Sequence, residues 1–121
     1  MLRINMNNSQ QQSEYNNIAT QTRFENGAAF VDGQIVPIDQ AKISMLDWGF
    51  LHSDATYDVV HTWNKEFFRL DKHLARFFSG MKALKMTIPF SKDEVIEILK
   101  SCLKATNLQN AYVEIICTRG V

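Results

Sequence analysis

The sequence predicts a small two-layer α+β domain, an antiparallel sheet with two helices on one face. Short stretches rich in alternating or β-branched apolar residues lie before and after two longer amphipathic segments. The strand-like stretches of the first half are separated by turns that are too short for a crossover, so their strands must pair antiparallel. Runs of strands followed by helices are typical of the α+β class. The expected order is two strands, a connection, two strands, two helices and a last strand.

The first residues of the chain differ in composition from the rest. Residues 1–23 are dominated by Asn, Gln, Ser and Thr. Such a segment buries too little apolar surface to offset the entropy of ordering, so we predict a disordered polar arm followed by one domain over residues 24–121. Ile4, Tyr15 and Ile18 leave open the alternative that the arm folds against a partner subunit.

Four strands are predicted in the first half of the domain. AAFVDGQIVP, residues 28–37, contains Asp-Gly between two apolar runs, which is typical of a hairpin with a two-residue turn. ATYDVVHTW, residues 55–63, is the third strand, and FFR starts the fourth after a turn at residues 64–66. SMLDWGFLHSD, residues 44–54, is predicted as an irregular connection.

Two amphipathic helices and one strand follow. Asp71 is predicted to cap the first helix, and Ser91 with Glu94 forms the capping box of the second. Asn107 is the predicted end of the second helix. AYVEIICTRG, residues 111–120, is the last strand. The apolar face of the first helix consists of Leu74, Phe77, Phe78, Met81 and Leu84, and that of the second of Val95, Ile98, Leu99, Cys102 and Leu103.

The composition excludes several classes of protein. Lys and Arg total 13, as do Asp and Glu, so the formal net charge is zero and no field attracts nucleic acid or an anionic membrane. The apolar runs are too short for a membrane span, and no secretory signal is present. Cys102 and Cys117 fit no metal-binding spacing and are interpreted as small buried apolar residues. We therefore expect a cytoplasmic protein without a nucleic-acid or membrane partner.

The consecutive residues His52, Ser53 and Asp54 include the residue types of a hydrolytic triad. A triad requires the serine oxygen and the acid to meet opposite nitrogens of one imidazole ring. Neighbouring residues point to opposite sides of an extended chain, so these three cannot converge in that way. The hydrolytic interpretation is rejected.

The strand at residues 55–63 has one face suited to a ligand. Tyr57, Val59, His61 and Trp63 share that face because side chains alternate along a strand. Large rings with polar tips are typical of a pocket wall. The alternative is an ordinary half-buried face that the helices cover.

Arg76 is the candidate anion-binding residue. It lies at the border of the apolar stripe of the first helix, one turn before Gly80 and three residues after His73. A planar, permanently charged guanidinium beside a glycine is suited to a phosphate group, although an arginine lying over the rim of the core fits the same pattern. His52, His61 and His73 show no spacing typical of a metal site.

Four motifs in order resemble the N-terminal domain of class IV (fold type IV) pyridoxal-phosphate-dependent aminotransferases. They are Asp-x-Gly-Phe from Asp47, the strand at residues 55–63, FRLD at residues 68–71 and His-Leu-x-Arg from His73. The resemblance extends from about residue 27 to residue 121. His-Ser-Asp-x-Thr-Tyr, residues 52–57, is most similar to the (R)-selective amine transaminases of this family.

The resemblance assigns roles to individual residues. Arg76 matches the arginine that binds the phosphate of pyridoxal phosphate. His52 and Tyr57 match pocket-lining residues, and Val59 and His61 extend the same wall toward the substrate. The resemblance further implies that amines or amino acids and 2-oxo acids are the substrates and that the full-length enzyme is a homodimer.

The resemblance also implies that no catalytic residue lies in this chain. In the family, the Schiff-base lysine and the glutamate that pairs with the pyridine nitrogen belong to a second domain, and no lysine here matches that motif. We therefore expect the N-terminal part of a transaminase, inactive alone. The alternatives are a fragment of a D-amino-acid or branched-chain aminotransferase or an aminodeoxychorismate lyase, and a non-catalytic dimerisation or ligand-binding domain.

Overall fold

The structure is a computed structural model that describes residues 2–5 and 24–121. Its strands are paired antiparallel in one sheet, in the order β3-β2-β1-β6-β4-β5. The strands are β1 Leu2–Asn5, β2 Gly27–Val31, β3 Gln34–Pro37, β4 Ala55–Trp63, β5 Glu66–Phe67 and β6 Tyr112–Thr118. The helices are α1 Trp48–His52, α2 Leu70–Ala83 and α3 Lys92–Thr106, with one turn of 3-10 helix at Ile38–Gln40.

Strand β1 corrects the prediction of a disordered arm over residues 1–23. It lies between β2 and β6, with Leu2 opposite Phe30 on one side and Ile115 on the other. Pairing on both sides satisfies the backbone groups of β1, a gain that the polar composition of the neighbouring residues does not reveal. The prediction is therefore wrong for residues 2–5, and the rest of the predicted arm lies outside the described residues.

The predicted two-residue turns are present. Asp32 and Gly33 have φ values of 51° and 77° and join β2 to β3. Asn64 and Lys65, with φ values of 48° and 66°, join β4 to β5 in the same way. Positive φ at both central residues gives a turn whose twist matches that of paired strands, so these turns set the register of both hairpins.

The connection at residues 44–54 is not wholly irregular, because it contains the short helix α1. Asp47 caps this helix by accepting a hydrogen bond from the Gly49 backbone N–H at 2.7 Å, and Ser53 ends it in the left-handed conformation. A Cβ atom on Gly49 would lie 2.6 Å from Thr118 Cγ2, so glycine allows α1 to approach the end of β6. A helix of this length has too few residues to show a helical period.

The ends of α2 and α3 differ in how well they follow the sequence. Helix α2 begins at Leu70 after Arg69, whose φ is 52°, and no side chain caps it. The prediction that Asp71 is the cap is wrong, because Asp71 already lies inside the first turn. The capping box of α3 is confirmed, with Ser91 and Glu94 exchanging hydrogen bonds of 2.7 and 3.2 Å. Asn107 ends α3 in the left-handed conformation, as predicted.

The core lies between the sheet and the pair α2 and α3, which confirms the predicted α+β class. Its largest fully buried side chains are Phe77, Leu74, Leu99, Val60, Val113 and Cys102. Cys102 and Cys117 are both free and buried, as expected, and burial raises the pKa of the Cys102 thiol to about 11. Within the described residues, no helix is long and apolar enough to cross a membrane.

Candidate active site

The two faces of β4 have different environments. Asp58, Val60 and Thr62 are buried on the face that α2 covers. On the opposite face Tyr57 is 66% exposed and Trp63 is 69% exposed. The alternative that the helices cover the ring-bearing face is therefore wrong, since the helices pack against the other face.

The exposed face of β4 places three of the predicted site residues together. Tyr57, Val59 and His61 follow one another at alternate positions of the strand. The His61 ring meets the Tyr112 ring of β6 edge-on, with centroids 5.4 Å apart. Tyr112 was not singled out from the sequence, because its position opposite His61 depends on the register between β4 and β6.

His52 lies on a different element from the other predicted pocket residues. It is the last residue of α1, it is exposed, and its ring lies 4.6 Å from that of Trp48. The left-handed Ser53 turns the chain from α1 toward β4. Arg119 fixes this junction, because its guanidinium binds the carboxylate of Asp54 through Nε at 2.9 Å and Nη2 at 3.2 Å.

Arg76 reaches β4 from α2. Its Nε donates to Asp58 Oδ2 at 2.5 Å and its Nη2 to Asp58 Oδ1 at 2.9 Å, while 71% of its side chain stays exposed. The helix comes this close because of Gly80, where a Cβ atom would lie 2.8 Å from Thr56 Oγ1. The space beside Gly80 is thus filled by β4 and is not left for a ligand, and the rim position predicted for Arg76 is found.

Asp58 is the residue that organises this cluster. Its side chain is 2% exposed, and it also accepts hydrogen bonds from His73 Nδ1 and from the Val59 backbone N–H, each at 2.8 Å. The hydrogen bond from Arg76 lowers the pKa of Asp58 below its ordinary value, and the bond from His73 acts in the same direction against the effect of burial. Sequence reasoning missed Asp58, although a carboxylate on an otherwise core-facing side of a strand was the available signal.

The cluster lies at a free edge of β4. Strand β5 pairs with β4 only at Thr62 and Trp63. The His61 carbonyl accepts from the Phe68 N–H, so the backbone groups of alternate residues on β4, including the Val59 N–H, point to that same edge. Since Asp58 accepts from Val59, the Asp58 carboxylate and its partner Arg76 are located beside this edge, where the guanidinium is open to solvent.

The guanidinium of Arg76 is only partly used. An arginine carries five N–H donors in one plane. Asp58 takes the Nε donor and one Nη2 donor, and within residues 24–121 no acceptor lies within hydrogen-bond distance of Nη1. The outer side of the guanidinium is therefore free to bind an anion, as the phosphate of a cofactor requires. No cluster of His, Cys, Asp and Glu in the described part of the chain could hold a metal ion.

The fold and the family comparison agree. An antiparallel sheet with two covering helices and an exposed aromatic face is the architecture on which the site is built. Residues 55–121 match the family described as amino-transferase class IV. The chain belongs to this family, whose members use pyridoxal phosphate.

Named relatives come from two kinds of aminotransferase. The chain is 32% identical over 92 residues to a Methanocaldococcus jannaschii protein assigned as a branched-chain-amino-acid aminotransferase, a match that covers 76% of this chain and 32% of that protein. It is 27% identical over 92 residues to the D-alanine aminotransferase of Staphylococcus haemolyticus, covering 76% of this chain and 33% of that enzyme.

The fold is also found in solved structures. A branched-chain amino acid aminotransferase from the source designated T.th. superposes with a TM-score of 0.72 at 26% identity, covering 78% of this chain and 33% of that one. That enzyme has been solved in complex with N-(5'-phosphopyridoxyl)-L-glutamate and with pyridoxamine 5'-phosphate. The chain thus spans about a third of the length of the relatives it matches.

Proposed function

We propose that this chain supplies the phosphate anchor and the substrate-facing wall of a pyridoxal-phosphate-dependent transaminase. The enzyme transfers an amino group between an (R)-amine or amino acid and a 2-oxo acid such as pyruvate. The observation that carries the proposal is the half-used guanidinium of Arg76, which is held by Asp58 with its outer side exposed.

The residues of this chain bind and orient. Arg76 binds the phosphate, which fixes one end of the cofactor so that its reactive end is positioned. Tyr57, Val59 and His61 present apolar surface and polar tips to the substrate. When bound, pyridoxal phosphate supplies the electron sink that eases removal of the proton from the amine carbon.

The proposal includes a second domain that contributes the Schiff-base lysine. Every lysine of this chain is exposed, and none projects into a buried pocket where its pKa would fall and its amine become nucleophilic. Apolar side chains before and within α1 are also exposed, among them Met45, Leu46 and Phe50. We propose that the second domain or the other subunit of a homodimer covers this surface.

Two observations favour different amino donors. The His-Ser-Asp-x-Thr-Tyr stretch at residues 52–57 supports an (R)-amine, since it is most similar to the amine transaminases. The relatives support an amino acid, since they include D-alanine and branched-chain aminotransferases. The exposed rings of Tyr57, Trp63 and Tyr112 suit a donor with a large apolar group.

The test uses the complete enzyme, in which this chain is joined to its second domain. Purified enzyme with pyridoxal phosphate is given an (R)-arylalkylamine, its (S)-enantiomer, D-alanine or L-leucine, each with a 2-oxo acid, and the formation of the new amino acid is measured. We expect turnover of the (R)-amine and not of the (S)-amine. Turnover of D-alanine or L-leucine alone would select the amino-acid alternatives. No amino transfer with any donor would contradict the transaminase proposal.

A further inference from the structure

We propose that Asp58 is a positioning residue that sets the affinity of the site for phosphate by fixing the guanidinium of Arg76. This inference rests on the proposed function, because it takes the phosphate of pyridoxal phosphate as the ligand of Arg76. Asp58 does not touch the ligand in this account, and it acts only through Arg76.

The carboxylate of Asp58 is itself held rigidly. It is buried on a strand, and His73 Nδ1 and the Val59 N–H both donate to its Oδ1 at 2.8 Å. His73 is fixed on α2 one turn before Arg76, so the same helix supplies both partners. An acceptor that is bound from strand and helix offers Arg76 one orientation.

Arg76 needs such an acceptor, because most of its side chain lies in solvent. A free arginine side chain samples many rotamers, and binding a ligand must then restrict them. The bidentate contact with Asp58 engages Nε and Nη2 and leaves Nη1 directed outward in the guanidinium plane. The cost of ordering Arg76 is thus met during folding, before the phosphate binds.

The negative charge of Asp58 acts in the opposite direction, because it repels a phosphate dianion. This repulsion acts across solvent and is screened by salt, with a Debye length of about 3 Å at 1 M ionic strength. The orientation of Arg76 does not depend on long-range charge in this way. Measurements at about 1 M salt therefore separate the two effects.

The experiment compares two ligands that differ only in the phosphate. The complete enzyme is freed of cofactor and titrated with pyridoxal phosphate and with pyridoxal, following absorbance at high salt. We expect Asp58→Asn to weaken binding of pyridoxal phosphate about ten-fold and to leave pyridoxal unchanged, because one ordered arginine side chain is at stake. Equal weakening of both ligands, or of neither, would overturn the positioning role.

Asp54→Asn is the matched control. Asp54 also holds an arginine by a two-point contact, in this case Arg119, but on a different part of the fold. We expect its ratio of the two affinities to equal that of the unchanged enzyme. If Asp54→Asn lowers the ratio as much as Asp58→Asn does, loss of any such pair suffices and the proposal fails.

Arg76 variants separate this inference from the proposed function. Arg76→Ala should lose affinity for pyridoxal phosphate and not for pyridoxal, and unchanged affinity would refute the phosphate-binding role itself. In the Arg76→Ala background, Asp58→Asn should weaken binding no further, since Asp58 has nothing left to orient. Should Asp58→Asn fail to fold, Arg76→Lys provides the test. It keeps the charge but cannot bind Asp58 and phosphate with a planar fork, so it should also lower the affinity ratio about ten-fold.

Discussion

At the scale of single residues, Asp58 is a buried charge whose partners make burial tolerable. An ionised carboxylate in a protein core is costly unless it is paired and hydrogen-bonded. Here Arg76, His73 and the Val59 N–H all donate to it, and the net effect is a lowered pKa. The stability of the fold is consequently linked to the protonation of this group.

This linkage predicts a dependence of stability on pH. The pKa of Asp58 is lower in the folded chain than its ordinary value of 3.8, so ionised Asp58 stabilises the fold above that pH. The contribution is lost as the pH falls through the folded pKa. We expect the difference in unfolding free energy between the unchanged enzyme and Asp58→Asn to be largest near neutral pH and to shrink below about pH 4. Chemical denaturation at several pH values measures it, and a constant difference down to about pH 3 would refute the linkage.

Gly80 gives a second prediction at the residue scale. Alanine in the interior of a helix is favoured over glycine by about 1 kcal/mol. At this position, however, the new Cβ atom would lie 2.8 Å from Thr56 Oγ1, on a β-branched side chain with little freedom to move. We expect Gly80→Ala to lower the free energy of unfolding by about 1 kcal/mol, because the overpacking exceeds the gain in helix propensity.

Thr56 provides the control for this substitution. Thr56→Ala removes the atom that a Cβ atom on residue 80 would meet. In that background Gly80→Ala should stabilise the protein by about the propensity difference. Destabilisation of the same size in both backgrounds would show that the close approach of α2 to β4 is not the cause.

At the scale of secondary-structure elements, the sequence predicts best what is decided locally. The capping box of α3 involves residues three apart, and the β2–β3 turn depends on Asp32 and Gly33 alone, so both were predicted. Strand β1 depends on two neighbours distant in the sequence. The start of α2 follows from the left-handed Arg69 after β5 and not from a side-chain cap.

Two alanine substitutions test the difference between the helix starts. Ser91→Ala removes a side chain that accepts from the Glu94 N–H, so we expect a loss of about 1 kcal/mol in the free energy of unfolding. Asp71→Ala removes only a favourable charge in the first turn of α2, with an expected loss of about 0.5 kcal/mol. Chemical denaturation of both variants measures this, and a larger loss for Asp71→Ala would mean that it caps α2.

The same distinction of local and distant contacts applies to the candidate site. Strand alternation correctly grouped Tyr57, Val59 and His61, because a period of two needs no tertiary information. The contact between Asp58 and Arg76 depends on α2 running antiparallel across β4, from Gly80 at Thr56 to Arg76 at Asp58. No pattern within either segment specifies that register.

At the scale of the whole molecule, the exposed apolar surface indicates that the fold is not the functional unit by itself. Met45 and Leu46 are more than 60% exposed, and Phe50 and Trp48 lie close to them in sequence with about half of their surface in solvent. Contiguous apolar residues of this kind mark interaction surfaces. We propose that they form part of the contact with the second domain or with the other subunit.

A charge in that surface tests the proposed contact. In the complete enzyme, Leu46→Lys should weaken assembly, because it places an unpaired ammonium in an apolar interface at a cost of about 2 kcal/mol or more. Sedimentation velocity measures the oligomeric state and thermal unfolding measures the docking of the domains. Glu97→Lys, on the exposed side of α3, is the control and should change neither. Normal assembly of Leu46→Lys would show that this surface stays open.

The central claim is that the guanidinium of Arg76 binds the cofactor's phosphate while Asp58 holds its other side. The most direct measurement is a crystal structure of the complete enzyme with pyridoxal phosphate. We expect Nη1 of Arg76 within about 3 Å of a phosphate oxygen, with Nε and Nη2 still on Asp58. A phosphate group bound elsewhere, with Arg76 contacting only Asp58 and water, would contradict the account.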